Sequence, residues 1–447
     1  MGKSRWATDK EVKERLVRVD YKKGIEKSGI PITYEKNDLL IDDRESHNLI
    51  IGSTGSGKTQ SLILPMIKLS RLAGESLLVN DPKGELYIKT ANKFKEDGYR
   101  VVLLDFDNSK YGNNWNPLEL IYKNYKENNH DLVVDMLEDL GYYLFYEPNS
   151  NNTDPFWINT TIDYFTGLVL YLFKSGKEDV INLQSIYNLS NEVNNKDNSK
   201  KLLNSLNKNE EIYINLAGTL LAPPETRGSI LSVFNQKMKK YISRRDLINM
   251  ISNSDFKVEE IVDNKTVVFI KSGISSYSNN LVPLLVSQIM EYATQANNKK
   301  RINMLLDEFD SMVPIKDFAK VIMNGRSLSI RFTVTIQSYA HLEYMYGKNV
   351  NIIKYCFANI IYLITEDIPT LEEISDYCGS DNNNKKLITI EELKTIQPFE
   401  AIISMIRMMP IKTKLLPDYK IDWGYKEEEI EFPEREAKEV KLLKMEN

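Results

Sequence analysis

The sequence predicts an α/β fold: a central, mostly parallel sheet with an all-α domain inserted into it. Three observations predict it. Near-continuous apolar runs alternate with helical patterns in two separate parts of the chain, the pattern of strands buried on both faces. The first such run, Asn48–Ile51, leads at once into a glycine-rich turn where a strand should give way to a helix. Between the two parts, from about Asn116 to Ser254, strand signals fade and helical periodicity takes over.

Residues 1–45 are mixed and charged, with short strand-like pieces at Ile32–Tyr34 and Leu39–Ile41; they are expected to join the sheet domain. Residues 46–118 form the first part of that domain. Strand Leu49–Ile51 precedes a largely apolar helix, Gln60–Ala73; strand Ser76–Asn80 precedes helix Leu86–Asp97; a third strand covers Tyr99–Leu104. Residues 119–254 are the inserted all-α domain, with helices expected at Asp131–Leu144, Trp157–Phe173, Leu183–Asn191, Lys200–Leu206 and Ser229–Tyr241 between Asn/Lys/Ser-rich connectors. Residues 255–424 resume the sheet domain, with strands at Thr266–Ile270, Arg301–Leu306, Arg331–Ile336, Ile360–Leu363 and Ala401–Met405. The Glu/Lys-rich residues 425–447 read as a disordered tail.

Bulk composition narrows the class. The chain has 447 residues, 42% hydrophobic and 27% charged, ample for two or three globular domains. A net charge of −5 argues against a basic nucleic-acid coat and leaves room for a local basic channel. Two cysteines without metal spacing suit a reducing compartment and no disulfide framework, and three histidines leave little for a histidine-based metal site. No run approaches the roughly 20 apolar residues of a membrane span, and the first residues are polar, so the polypeptide is expected to be soluble and without a signal peptide.

Residues 52–59 read Gly52-Ser53-Thr54-Gly55-Ser56-Gly57-Lys58-Thr59, a P-loop. Its backbone N–H groups can cradle phosphates, Lys58 reaches the β- and γ-phosphates, and Thr59 holds Mg²⁺. ATP with Mg²⁺ is therefore the expected ligand. The run Arg301–Leu306 ends in Asp307-Glu308. Adjacent strand residues point to opposite sides, so the two acids cannot share a task. Asp307 suits the metal shell and Glu308 the polarisation of attacking water. Strand Arg331–Ile336 ends in Gln337, either a γ-phosphate sensor or a plain strand cap. Arg326 is either an arginine finger for a neighbouring subunit or a solvated loop residue. Asp81-Pro82-Lys83-Gly84-Glu85 follows the second strand, at the same sheet edge as the P-loop, and is either a charged wall of the ligand site or a Pro-Gly turn.

Taken together, these segments resemble the TraG/TraD family of type IV secretion coupling proteins. The resemblance covers most of the chain: Lys3-Ser4-Arg5-Trp6-Ala7, His47-Asn48-Leu49 before the P-loop, Asp81-Pro82-Lys83-Gly84-Glu85-Leu86, Asn116-Pro117-Leu118, Asp154-Pro155-Phe156-Trp157, Leu305-Leu306-Asp307-Glu308-Phe309, Gly325-Arg326 through Gln337-Ser338, Leu387–Leu393 and Met409-Pro410-Ile411. It implies a RecA/FtsK-like motor, usually a homo-hexamer at the cytosolic face of the membrane, that passes relaxase-bound single-stranded DNA or effector proteins to a secretion channel with its own ATPases and membrane components. The family usually carries an N-terminal membrane anchor, which is not read in these residues; the expectation is that it is trimmed, is a separate polypeptide, or is dispensed with in a natively soluble member. Two other readings stay open: a nucleotide-binding adaptor that docks substrate without translocating it, and an FtsK/HerA-type DNA motor.

Overall fold

The computed structural model describes residues 4–20, 24–36, 38–146, 155–273 and 278–443. Lys3 and Asp154 of the family-like strings lie outside these residues. The chain forms two compact units, each assembled from separate segments. The first comprises Met1–Val102, Glu259–Lys271 and Met290–Glu431; the second comprises Leu103–Val258, Ser272–Ile289 and Phe432–Asn447.

The first unit opens with a small antiparallel sheet of β1 (Val17–Arg18), β2 (Ile30–Glu35) and β3 (Asp38–Asp42), ordered β1-β3-β2. Val19, Leu39 and Ile41 pack with Leu69, Leu416, Ile421 and Trp423 in one apolar cluster, which fixes this N-terminal segment to the unit. The main sheet follows: β4 (Asn48–Gly52), β5 (Ser76–Asn80), β6 (Arg100–Asp105), β7 (Thr266–Lys271), β8 (Ile302–Leu306), β9 (Ile330–Ile336), β10 (Asn359–Ile364), β11 (Glu400–Met405) and β12 (Ile411–Lys414). Their order is β12-β11-β10-β4-β9-β8-β5-β7-β6. The run from β10 to β7 is parallel, and β11 and β12 add an antiparallel edge. Every residue of β4, β5, β8 and β9 is buried, which explains why β4, β5 and β8 read as near-continuous apolar runs; β9 alternates apolar and polar residues, and its buried Arg331, Thr333 and Thr335 are hydrogen-bonded.

Register positions the functional ends. β9 lies between β4 and β8, with Ile51 opposite Ile336 and Leu306 opposite Val334. One residue further, the P-loop, Thr335-Ile336-Gln337 and Asp307-Glu308 must emerge side by side at one edge.

The amino ends of the same strands carry a buried polar network. Arg331 is 2% exposed; its guanidinium donates to the Ser28 carbonyl (3.0 Å), Ser28 Oγ (2.6 Å) and Asn303 Oδ1 (2.9 Å). Arg301 donates to the same Ser28 carbonyl (2.8 Å) and pairs with Glu45 and Glu75. Asn303 donates to Glu75 (2.8 Å), and Asn359 bonds Asp42 (2.7 Å) and Asn48 (2.9 Å).

The second unit is predominantly helical. Its helices include Glu119–Lys126, His130–Phe145, Pro155–Ser175, Leu183–Val193, Lys196–Ser205, Glu211–Leu220, Pro224–Ile242 and Arg245–Met250. Aromatic rings fill its interior: Phe145 meets Phe165 edge-on at 5.4 Å, and Tyr164 meets Phe234 at 5.3 Å. Tyr241 is fully buried, so the basic stretch Lys239–Arg245 offers no free ring for stacking. The unit extends beyond the expected insertion of 119–254, taking in 272–289 and the chain's last segment.

That last segment differs from the disordered tail expected for 425–447. In the first unit Tyr425 lies under Arg71 (5.0 Å) and Lys93 (5.2 Å), and Glu427 pairs with the buried Lys68, which also holds Asp418 at 2.6 Å. In the second, Arg435 donates to Asn114 (2.8 Å) and Asn249 (2.6 Å), Lys438 pairs with Asp255 (2.6 Å), and Asn182 bonds the Lys441 carbonyl (2.8 Å). Charge-rich composition marks a segment without a core of its own; here fixed counter-charges elsewhere in each unit supply the partners. Residues 444–447 lie outside the described residues. No helix among the described residues is long and apolar enough to cross a membrane.

Candidate nucleotide site

The P-loop leaves β4 at Gly52, and the Ser53 amide donates to the Ile364 carbonyl at 2.8 Å, tying the loop's start to β10. Gly55 (φ 81°) and Gly57 (φ 89°) are left-handed, a conformation that costs glycine little and other residues much. At Gly57 a Cβ would also come within 3.0 Å of the Phe399 ring. A π-type turn over Thr59–Ile63 then opens the helix continued by Leu64–Leu72. Lys58 Nζ folds back onto the carbonyls of Gly52 and Ser53 (3.3 Å to the latter). Burial lowers its pKa, opposed by the negative charges of Asp307, Asp310 and Glu308.

Asp307 and Glu308 follow β8 in a turn rather than in the strand, so the alternation expected to send them to opposite sides does not apply, and both face one cavity. Asp307 Oδ1 accepts from Thr335 Oγ1 (2.6 Å) and from the Glu308 amide (3.1 Å), while Asn80 donates to the Asp307 carbonyl (2.7 Å). The Glu308 amide also donates to Thr335 Oγ1 (2.9 Å), and its backbone is left-handed at φ 50°. Such geometry in a non-glycine residue costs on the order of 1 kcal/mol and persists where the surroundings hold it. Burial raises the Glu308 pKa, reinforced by Asp307 and opposed by Lys83 and Lys58. The Gln337 amide donates to Asp310 (3.1 Å), and its exposed side chain faces the same space.

These groups line one cavity of about 420 Å³: Ser53 to Gln60, Asp81 to Lys83, Asp307, Glu308, Asp310, Thr335 to Gln337 and Phe399. The Asp81 turn thus stands in the wall of the site. The Asp81 carboxylate accepts from the Tyr87 amide (2.9 Å), and burial pushes its pKa up to about 7. Lys83, exposed on the same turn, contributes a second ammonium. Arg326 is elsewhere. It occupies the exposed last turn of helix Phe318–Ser327, which leads back to the start of β9, and its charge is felt by His47 before β4. That is the opposite edge of the sheet, roughly 15–20 Å away at the rise of a five-residue strand. Within one chain it does not reach the P-loop.

Sequence reasoning missed Thr335, Asp310 and Phe399. Thr335 reads as an ordinary β-former, and its role follows only from the β8–β9 register.

A model of the family described as Type IV secretory system Conjugative DNA transfer matches residues 2–402. The chain belongs to that family. No curated protein is matched by sequence. Among solved structures, the plasmid coupling protein TrwB in complex with ADP and Mg²⁺ aligns with a TM-score of 0.70 at 14% identity, over 98% of this chain and 95% of that one. TrwB with the non-hydrolysable analogue ADPNP gives 0.67 at 14% identity, over 98% and 96%. TrwBdeltaN70, a bacterial conjugative coupling protein, in its trigonal form with sulphate, gives 0.67 at 15% identity, over 98% and 96%. At these identities the likeness shows the fold: a RecA-like P-loop NTPase with a mostly parallel central sheet and helical regions.

The residues present fit a magnesium nucleotide. The loop turns through the left-handed Gly55 and Gly57, and Lys58 supplies a half-buried ammonium bonded to loop carbonyls. No cluster of three or more His, Cys, Asp or Glu suited to a metal occurs among the described residues. Thr59 and Asp307 suit Mg²⁺, which keeps waters and substrate phosphates in its shell and needs few protein ligands.

Proposed function

We propose that the chain is the ATP-driven coupling protein of a conjugative type IV secretion system. It recruits a relaxase-bound DNA strand, or a protein substrate, at the cytosolic face of the membrane and passes it to the channel, working as a homo-hexamer. The observation that carries this reading is the meeting of Lys58, Asp307, Glu308 and Gln337 in one cavity of a chain in the conjugative DNA transfer family. TrwB, of the same fold, binds ADP with Mg²⁺ and the analogue ADPNP.

The P-loop amides and Lys58 hold the phosphates. Mg²⁺, held by Thr59 and Asp307 directly or through water, would neutralise charge developing on the transferred phosphoryl group. Glu308 accepts a proton from the attacking water as the bond to the γ-phosphorus forms and the bridging β–γ bond breaks. Its raised proton affinity brings it closer to the working pH of a general base. Gln337 follows the γ-phosphate from the end of β9. Arg326, too far from its own P-loop, serves the site of the next subunit in the ring.

An ATP-dependent triplex-displacement assay separates the motor from an adaptor. The motor displaces the third strand with ATP and fails with a non-hydrolysable analogue or with Lys58→Ala. Equal DNA engagement under all three conditions, without displacement, favours the adaptor.

A further inference from the structure

Phe399 precedes β11 and holds a left-handed backbone (φ 67°), unusual for so bulky a residue. The bond from the Leu415 amide to its carbonyl (2.7 Å) helps to hold it there. Its ring lies over the last glycine of the P-loop, within 3.0 Å of where a Gly57 Cβ would stand, and lines the phosphate cavity. Tyr419, 65% exposed, meets that ring nearly edge-on, with centroids 6.4 Å apart at 71°. Gln60 lines both the phosphate cavity and a second cavity of about 550 Å³ walled by Tyr419 and Trp423. An aromatic surface therefore begins where the phosphate cradle ends. The P-loop, the two acids and Gln337 account for the phosphates; none of them presents an aromatic face to a base.

We infer that Phe399 and Tyr419 form the platform for the purine base of the bound nucleotide, with the Gln60 amide at the base's edge. The inference rests on the ATP reading above and names the part of the ligand that reading leaves unplaced. Stacking on an aromatic ring is open to any base, and the two-ring purine covers more of the ring than a pyrimidine does. Phe399 holds a left-handed backbone, so a residue content with that conformation but lacking the ring isolates the ring's role.

Phe399→Asn is that variant, since Asn tolerates left-handed geometry. Equilibrium binding to the full chain is measured with Mg-ADP and with inorganic tripolyphosphate. The expected result is an ADP dissociation constant raised about tenfold, the loss of roughly one stack, with the tripolyphosphate constant changed by less than about twofold. Phe399→Tyr, which keeps the ring, stays near wild type, and Tyr419→Ala weakens ADP by about threefold, a lesser share of the stack. An ADP affinity unchanged in Phe399→Asn overturns the platform. So does a parallel loss for both probes, which would make Phe399 a support for the loop alone. A wild-type chain that binds both probes equally tightly keeps the phosphate site and overturns the platform; one that binds neither overturns the ATP reading as well.

Discussion

The two edges of the parallel sheet put charge to opposite uses. At the carboxyl edge, Lys58, Asp307, Glu308 and Lys83 line an open cavity, and Lys58 is bonded only to loop carbonyls it can exchange for a ligand. At the amino edge, Arg331, Arg301, Glu75 and Asn303 are buried and bonded to one another and to Ser28. β8 and β9 run through both. The difference teaches that burying charge is tolerable where every group has a partner, and that leaving charge without a fixed partner is tolerable where solvent or a ligand completes it. The amino edge holds the scaffold still so that strand ends at the other edge keep their spacing.

Arg331→Met attacks the closed edge. Ser28 Oγ, Asn303 and Glu75 would lose a cation they are built around, and burial already presses the Arg331 pKa down to about 10. We expect a loss of about 3–5 kcal/mol, read by denaturant or thermal unfolding of the first unit's signal. An unchanged midpoint would remove the amino edge as a stabilising feature. Lys58→Ala attacks the open edge: turnover should fall by about 10²–10³, with the melting temperature nearly unchanged, because the ammonium serves the ligand more than the fold.

His47 sharpens the comparison by pH. Its ring is buried, Nδ1 accepts from the Phe332 amide at 3.1 Å, and desolvation lowers its pKa from 6.5 to about 4. A depressed folded-state pKa means the unfolded chain binds the proton more readily. The contribution is thus present above pH 6.5 and lost as pH falls toward 4, up to about 3 kcal/mol in all. His47→Gln should flatten stability over that window; an unaltered acid limb would exonerate His47. The smallest effect is expected at Glu427→Gln, about 0.5–1 kcal/mol, since Glu427 is partly exposed and Lys68 keeps Asp418. Limited proteolysis near residue 427 reads it, and identical cleavage in both proteins would count against the tether.

Legibility in the sequence followed the same division. The open edge was readable because its chemistry is local: a glycine-rich string, an apolar strand ending in two acids, a strand ending in Gln337. The closed edge was not, because Arg331 finds Ser28 across 303 residues of chain. Helix Glu211–Leu220 escaped because an Asn/Lys-rich stretch leads into its short apolar stripe, Ile212, Leu216 and Leu220. The terminal segment misled for a related reason: composition counts its charges and is blind to Lys68 and Asp255, which receive them. Asp81 and Lys83 stood as an even choice between turn and site, and the structure makes the turn a wall of the site.

Hydrolysis of ATP at the open edge through Glu308 is decided by Glu308→Gln with DNA present. Nucleotide affinity and steady-state turnover are measured on the same preparation. Binding within about twofold of wild type and turnover reduced by at least about a hundredfold is the predicted result, the signature of a lost general base. Turnover like that of wild type would contradict it.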